Sequence, residues 1–245
     1  MMPAPIAVIS EAGEPLGRAL AVALARHGVA VAAISREGFE PEMDLIMSVR
    51  ADVGAPQDAA RAFTEIRKRF GAPTILINAA EVYPHRDILD ETPDSFMATL
   101  RTNLGGAFNC CHEVLPAMVA SGTGRIINVV TFADIQPAPF SAGYSVSKGS
   151  LRILTRSLVA DLGERFPGIV INDWIPGSHA PRRGIADGIA PAVVAEWGAR
   201  LALLQDPMIS GLVFLRDREL QPAASWKRKL KDRVLGKRRA LIHLV

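Results

Sequence analysis

The stretch "IAVISEAGEPLGRALAVALARHGVAVAAIS", from Ile6 to Ser35, carries the pattern that decides the fold. A short apolar run is followed by a turn, by a segment with helical periodicity that stops at Gly28, and by a second apolar run. Continuous apolar runs are typical of strands that are covered on both faces, as in parallel sheets. The stretch therefore predicts a strand, a helix and a second strand in one unit.

The same alternation continues to about Leu215. Further apolar runs stand at "LIMSVRADV", "TILINAA", "RIINVV", "IVINDWI" and "GLVFL", with helical segments between them. This order predicts an α/β domain on a doubly wound parallel sheet, in which ligands bind beyond the carboxyl ends of the strands. We predict one such domain over residues 1–215 and a basic, helical C-terminal extension over residues 216–245.

The composition excludes several classes of protein. No apolar run is long enough to span a bilayer, and the first residues lack the pattern of a secretory signal. The two cysteines, Cys110 and Cys111, are adjacent, and adjacent cysteines rarely meet disulfide geometry. We therefore expect reduced thiols and a cytoplasmic location. The five histidines show no metal-ligand spacing with the cysteines, which predicts that the chain has no metal site.

The positive charge of the chain lies in the extension. From Arg216 onward the sequence has ten Lys/Arg and three Asp/Glu, whereas the whole chain carries a net charge of +3. Trp226, Leu230, Val234 and Leu235 lie near one face of a helix drawn through this region. Such a helix either packs on its own domain or a sister subunit, or binds an acidic partner or an anionic membrane surface. We expect no nucleic-acid partner.

A candidate catalytic pair lies in "YSVSK", where Tyr144 and Lys148 are four residues apart on one face of a helix. A free tyrosine has a pKa of about 10, too high for acid–base work at neutral pH. An ammonium one turn away favours the phenolate and lowers that pKa. Thr131, after the preceding strand, offers a hydroxyl that can hold a carbonyl oxygen against the phenol.

Five motifs in this order and spacing resemble the short-chain dehydrogenase/reductase family. They are "TNLGGAF", "GRIINVVT", "YSVSKGSLRILTRSL", "INDWIPG" and "DPMISGLVF", and the resemblance runs from Ile6 to about Leu215. It implies a Rossmann-type fold and an NADP(H)- or NAD(H)-dependent enzyme that interconverts a carbonyl and an alcohol on a small organic substrate. It also implies a homo-oligomer, either a dimer or a tetramer.

The resemblance assigns roles to four residues. Tyr144 would be the general acid in reduction and the base in oxidation. Lys148 would lower the pKa of Tyr144 and hold the nicotinamide ribose. Thr131, in the place of the family's serine, would bind the substrate oxygen, and Asn103 would position a water that links Lys148 to solvent.

The resemblance also predicts a cofactor site. Its residues would be Ser10, Gly13, Leu16, Gly17, Ser35, Arg36, Asp52, Val53, Asn78, Ala79, Ala80, Tyr144, Lys148, Pro176 and Gly177. Members that prefer NAD carry an acidic residue where Ser35 stands here. Arg36 follows it, and an arginine binds a 2′-phosphate bidentately. We therefore expect NADP(H) to be favoured over NAD(H).

The chain departs from the family at three glycine positions. In the gapless register of the turn T-G-x-x-x-G-x-G, Glu11 stands at the first glycine, Pro15 at the second and Gly17 at the third. In a second register Gly13 and Gly17 are the first two glycines, at the cost of a longer turn. The family's N-N-A-G is "NAAE" here, which places Glu81 at a third glycine position, beside the cofactor cleft.

Three hypotheses about function follow. The first is an NADP(H)-dependent carbonyl reductase or alcohol dehydrogenase, supported by the four catalytic candidates. The second is a catalytically weak or inactive family member that acts as a binding or regulatory protein, supported by the altered glycines and the basic extension. The third is a pterin-type reductase, suggested by the divergent turn.

Overall fold

A central, mostly parallel sheet lies between two layers of helices in the computed structural model, which describes residues 4–177, 188–221 and 241–244. Its strands are β1 (Ile6–Ser10), β2 (Ala30–Ser35), β3 (Ile46–Arg50), β4 (Ile75–Asn78), β5 (Gly124–Val129), β6 (Ile169–Ile175), β7 (Val213–Leu215) and β8 (Arg218–Glu219). Their spatial order is β3-β2-β1-β4-β5-β6-β7-β8, and each neighbouring pair is parallel except β7–β8. The predicted doubly wound α/β fold is confirmed, with the order reversing between β1 and β4.

Four of the helices begin at a proline, whose fixed φ suits the first helical position and whose missing N–H costs nothing there. The helices are α1 (Pro15–Arg26), α2 (Pro56–Phe70), α3 (Pro93–Leu100), α4 (Gly106–Ser121), α5 (Ala142–Leu162) and α6 (Pro191–Leu203). A π-helical turn (Arg101–Gly105) joins α3 to α4, and a 3₁₀ turn (Pro207–Ile209) precedes β7. The π turn lies where the sequence predicts two helices on either side of Asn103.

The two faces of the sheet carry separate cores. In β1, Ala7 and Ile9 pack in the cluster that α1 and α6 cover, whereas Val8 packs in the cluster that α2 and α4 cover. Successive side chains of a strand point to opposite faces, so a strand buried on both faces is apolar at every position. This is the physical reason for the continuous apolar runs of the sequence.

Arg125 on β5 is fully buried, a position that the sequence pattern does not distinguish from its apolar neighbours. Its Nε donates to the carbonyl of Leu201 in the last turn of α6 (3.1 Å), and Nη1 donates to the carbonyls of Ile126 and Val170. Burial lowers the pKa of this guanidinium to about 9. Arg125 therefore ties α6 to the centre of the sheet through backbone oxygens.

The turn between β1 and α1 has four residues, 11–14. Glu11 has φ 59°, the left-handed region that favours glycine. Gly17 lies so close to the strand end that a Cβ on it would stand 2.6 Å from the Ala12 Cα and from the Glu11 carbonyl oxygen. Gly17 therefore serves close packing of the helix, and Glu11 has a backbone conformation that glycine adopts more easily than other residues.

The C-terminal extension begins with a short strand that the sequence does not predict. Arg216, with φ 55°, and Asp217 form a two-residue turn into β8, which pairs antiparallel with β7. The far end of the extension returns to this edge, since Leu244 N donates to the Asp217 carbonyl (2.7 Å) and the Leu244 side chain is buried. β8 forms because the edge strand β7 offers unpaired backbone groups. The predicted helix between these points lies outside the described residues.

A chain of buried polar side chains crosses the sheet from β4 to β6. Asn78 Nδ2 donates to Asn128 Oδ1 (2.8 Å), Asn128 Nδ2 donates to Thr155 Oγ1 (2.8 Å), and Thr155 Oγ1 donates to Asp173 Oδ1 (2.6 Å). Burial raises the pKa of Asp173 to about 6, although the Thr155 bond and Arg152 act against the shift. The Arg152 Nε lies 3.8 Å from Asp173 Oδ2.

Replacement of Gly17 by alanine should destabilise the fold, because the added Cβ meets backbone atoms of the turn. We expect the free energy of unfolding to fall by about 1–3 kcal/mol, measured by denaturant unfolding. Gly105→Ala is the matched control, since a Cβ there would meet nothing closer than 3.9 Å. Equal destabilisation by the two substitutions would contradict the close approach of α1 to the strand end.

Replacement of Asp173 by asparagine should stabilise the protein at neutral pH. The folded state holds the Asp173 proton up to a pH of about 6, against a reference value of 3.8, so ionisation above that range disfavours folding. We expect the variant to gain of the order of 2 kcal/mol at pH 7.5 and to lose this gain as the pH falls toward 4. Thermal unfolding across that range measures it, with Asp161→Asn on the exposed surface of α5 as the control. A gain that did not change with pH would reject the assignment.

Candidate active site

The carboxyl ends of β1 and β4 are joined by a single hydroxyl group. The buried Ser10 Oγ accepts hydrogen bonds from the backbone N–H groups of Ala79 and Ala80, each at 3.0 Å. These three predicted cofactor residues therefore come together at the point where the strand order reverses. Ligands in doubly wound sheets bind in the crevice at this point.

The turn that would face a diphosphate has a suitable backbone and an unfavourable charge. The left-handed Glu11 and the close packing of Gly17 preserve a tight turn into α1, while Pro15 has no N–H to offer a phosphate. Burial raises the pKa of Glu11, Arg36 opposes this shift, and the carboxylates of Glu14 and Asp52 add to it. The residues fit a dinucleotide in shape, and the carboxylate of Glu11 weakens the fit.

The predicted adenosine end gathers Arg36, Asp52 and Thr102. Arg36 Nη2 donates to Thr102 Oγ1 (3.1 Å), and its Nε lies 3.8 Å from Asp52 Oδ1. The Arg36 side chain is 44% exposed, so its guanidinium remains accessible to a ligand. Asp52 Oδ1 also accepts from Gly54 N (2.9 Å), which fixes the turn after β3.

The other predicted cofactor residues line the same edge of the sheet. Gly13 lies against β2, since a Cβ there would stand 3.2 Å from the Ser35 Cβ. The Val53 carbonyl accepts from Asn109 Nδ2 (2.8 Å), and Leu16 is buried in the core under the turn. Pro176 follows β6 and is buried, and Gly177 has φ 82° beside the Arg216 side chain.

Tyr144 and Lys148 lie one turn apart on the buried face of α5, as the spacing predicts. Lys148 has no exposed surface, and its Nζ donates to the carbonyl of Val129, the last residue of β5 (3.0 Å). The same Nζ lies 6.0 Å from the centroid of the Tyr144 ring. The strand end thus fixes the ammonium beside the phenol.

Glu81 contacts both members of this pair. Tyr144 Oη donates to Glu81 Oε2 at 3.1 Å, and Lys148 Nζ lies 3.1 Å from the same oxygen. The sequence places Glu81 at the cofactor cleft but gives no sign that it reaches the catalytic helix. What the sequence does show is that glutamate replaces the last glycine of the family motif N-N-A-G, and a glutamate side chain is long enough to reach across from the end of β4.

Asn103 lies in the π-helical turn and uses its amide on two neighbouring segments. Its Oδ1 accepts from Val82 N (2.7 Å), and its Nδ2 donates to the Val82 carbonyl and to Ser147 Oγ, both at 2.9 Å. Thr131 lies two residues beyond Val129, and its Oγ1 accepts from Ala133 N (3.0 Å). Accepting this bond leaves the Thr131 hydroxyl proton able to donate elsewhere.

Aromatic residues adjoin Tyr144, and the sequence analysis does not identify them. The Tyr83 ring lies 4.3 Å from that of Tyr144, and the His85 ring lies 5.0 Å from that of Phe140, centroid to centroid. Next to them the segments 86–88 and 137–142 line an open cavity of about 340 Å³. In the sequence these aromatic residues are marked by the run "YPH" immediately after Glu81 and Val82.

The described residues give no support for a metal site or for a membrane-spanning helix. Within residues 4–177, 188–221 and 241–244, no group of three or more His, Cys, Asp and Glu side chains could hold a metal ion. In the same ranges no helix combines the length and the apolar character that a membrane crossing requires.

Comparisons with known proteins agree with this geometry. A family model described as short chain dehydrogenase matches residues 5–182. A 2-(R)-hydroxypropyl-CoM dehydrogenase of Xanthobacter autotrophicus is 30% identical over 185 residues, which cover 70% of this chain and 73% of that protein. Carbonyl reductase family member 4 of Danio rerio is 29% identical over 234 residues, which cover 88% and 98% of the two chains.

A solved structure shares the architecture. The crystal structure of a gluconate 5-dehydrogenase from Burkholderia cenocepacia, in complex with NADP and tartrate, superposes with a TM-score of 0.76 at 26% identity. The superposition covers 87% of this chain and 94% of that one. The match of the family model over most of the sheet, together with this fold, shows that the chain belongs to the short-chain dehydrogenase/reductase family of oxidoreductases.

Proposed function

We propose that the chain is an NADP(H)-dependent oxidoreductase that interconverts a carbonyl and an alcohol on a small organic substrate. The observation that carries the proposal is the Tyr144–Lys148 pair, fixed one helical turn apart beside the end of β5. A phenol held next to an ammonium is suited to exchange a proton with a substrate oxygen near neutral pH. The named dehydrogenases and reductase that the chain resembles support the reaction class.

In this proposal each of the four site residues has its own chemical or positioning role. Tyr144 Oη gives its proton to the carbonyl oxygen during reduction and takes a proton from the alcohol during oxidation. Thr131 donates its hydroxyl proton to the same substrate oxygen, and the ammonium of Lys148 stabilises the phenolate. Asn103 anchors the backbone at Val82 and, through it, the segment that faces Lys148. The nicotinamide cofactor, when bound, supplies or accepts the hydride.

The preference for NADP(H) rests on Arg36. Its half-exposed guanidinium follows the end of β2, where the chain carries no carboxylate at Ser35. A planar guanidinium binds a phosphate through two parallel hydrogen bonds, whereas a carboxylate would repel it. Lys148 would hold the nicotinamide ribose, and the solved relative with NADP supports a nicotinamide cofactor at this cleft.

A catalytically weak family member that acts as a binding or regulatory protein is the second candidate. The observation that favours it is Glu81, whose carboxylate engages both catalytic side chains. The partly buried carboxylate of Glu11 in the phosphate turn points the same way, because it adds negative charge where a diphosphate would lie. Direct measurement of cofactor binding separates the two candidates.

We also propose a homo-oligomer, a dimer or a tetramer, in the cytoplasm. Phe108 on α4 and Val146 and Ile153 on α5 are large apolar side chains that are about half exposed in the single chain, and a second copy packed on these helices would cover them. Cys110 and Cys111 are free and buried, in keeping with a reducing compartment.

Titration of the purified protein with NADPH and NADH, followed by calorimetry, should show tighter binding of NADPH. Arg36→Asp should reduce the preference for NADPH by roughly tenfold to hundredfold, because it removes charge-assisted hydrogen bonds and adds repulsion. Arg26→Asp makes the same change of charge at the far end of α1 and is the control. The absence of binding at millimolar cofactor would reject the enzyme and favour the second candidate.

Tyr144→Phe should abolish turnover while the protein still binds cofactor. Loss of the proton donor should lower kcat by roughly 10²–10⁴-fold, measured with NADPH on a panel of small ketones and with NADP on secondary alcohols and gluconate. Cofactor affinity, followed in parallel by calorimetry, verifies that the site remains folded. Turnover at the level of the parent chain would remove Tyr144 from the mechanism.

A further inference from the structure

One carboxylate oxygen serves both catalytic side chains. Glu81 Oε2 accepts the hydrogen bond of Tyr144 Oη and forms an ion pair with Lys148 Nζ, each at 3.1 Å. The Glu81 side chain is 8% exposed and that of Lys148 is fully buried. The contact is therefore a largely desolvated ion pair, in which the Coulomb attraction between the two charges is stronger than at the surface.

The backbone on both sides of Glu81 is anchored by side chains of other elements. Before it, the N–H groups of Ala79 and Ala80 donate to Ser10 Oγ at the end of β1. After it, both the N–H and the carbonyl of Val82 bind the amide of Asn103. The segment that carries Glu81 is thus anchored by four hydrogen bonds to two side chains, Ser10 and Asn103. This anchoring places Glu81 within reach of Lys148.

The phenol of Tyr144 has one proton to donate, and Glu81 accepts it. A substrate oxygen that takes this proton has to replace Glu81 Oε2 as the acceptor. A ribose hydroxyl that approaches Lys148 Nζ meets the same oxygen. Without a ligand, the carboxylate neutralises the buried ammonium, which also donates to the Val129 carbonyl.

We propose that Glu81 is an internal ligand of the Tyr144–Lys148 pair, which substrate and cofactor must displace. Its competition with the cofactor rests on the proposed function, whereas its contact with Tyr144 does not. Glu81 therefore sets the affinity of the site for any ligand that uses these two groups. Breaking a hydrogen-bonded ion pair of this kind weakens ligand binding by roughly tenfold to hundredfold.

The contact with Tyr144 can be measured without cofactor, because the chain has two tyrosines. In a Tyr83→Phe background, the ultraviolet absorbance of the phenolate reports on Tyr144 alone. Glu81→Gln in this background should move the appearance of the phenolate to lower pH by about one unit or more, since it removes a negative charge from the phenol and leaves Lys148 beside it. Glu164→Gln, an exposed glutamate just beyond α5, is the matched control.

The competition is measured by calorimetric titration of NADPH into the parent chain and its variants. Glu81→Gly should bind NADPH roughly tenfold to hundredfold more tightly than the parent, and Glu81→Gln should lie between them, since it removes the charge and keeps the bulk. Glu164→Gln should bind as the parent does. Circular dichroism verifies the fold of each variant, and Glu81→Gln keeps a hydrogen-bond acceptor for Lys148 in case Glu81→Gly fails to fold.

The outcomes separate this proposal from the proposed function. A phenolate that appears at the same pH with and without Glu81 overturns the internal ligand, whatever the cofactor does. A parent chain that binds NADPH, with no gain in Glu81→Gly or Glu81→Gln, overturns the competition. A shifted phenolate with no NADPH binding in any variant supports Glu81 as an internal ligand and rejects the nicotinamide-dependent function.

Discussion

The burial of one ammonium group constrains the whole functional edge of this protein. Lys148 has no exposed surface, and a buried charge is tolerated only where other groups of the protein satisfy it. The parallel sheet brings two such groups to the same place, the Val129 carbonyl at the end of β5 and the Glu81 carboxylate just after β4. Because β4 and β5 are adjacent, these two groups both reach Lys148. The Glu81 carboxylate that pairs with Lys148 is also the acceptor for the Tyr144 hydroxyl.

The sequence is sufficient to predict the fold because its local signals and its tertiary structure agree. Apolar runs become strands buried on both faces, and prolines or the glycine at position 28 mark helix boundaries close to those that the structure has. The β7–β8 hairpin is the exception. Its two-residue strand has no periodicity of its own, and it forms because an edge strand offers unpaired backbone groups.

The catalytic helix is predictable for a simple geometric reason. Residues four apart on a helix share a face, so Tyr144 and Lys148 have to lie together once α5 forms. The contacts of Glu81 and Asn103 depend instead on which strands are neighbours and on how far a side chain reaches. The π-helical turn adds to this, because it changes the direction in which Asn103 points without a distinct local pattern. The sequence thus identifies Glu81 and Asn103 as candidate site residues, but their hydrogen-bond partners follow only from the folded structure.

The hydroxyl of Ser10 links the backbone segments that carry Glu11 and Glu81. Ser10 immediately precedes Glu11, and its oxygen holds the backbone that leads into Glu81. A shift of the backbone at Ser10 and Glu11 would therefore move the Ser10 oxygen, and with it the segment from Ala79 to Glu81 that contacts Lys148. Glu11 and Glu81 therefore lie on segments that share the Ser10 hydroxyl, and the free energies of substitutions at sites that share a partner commonly do not add.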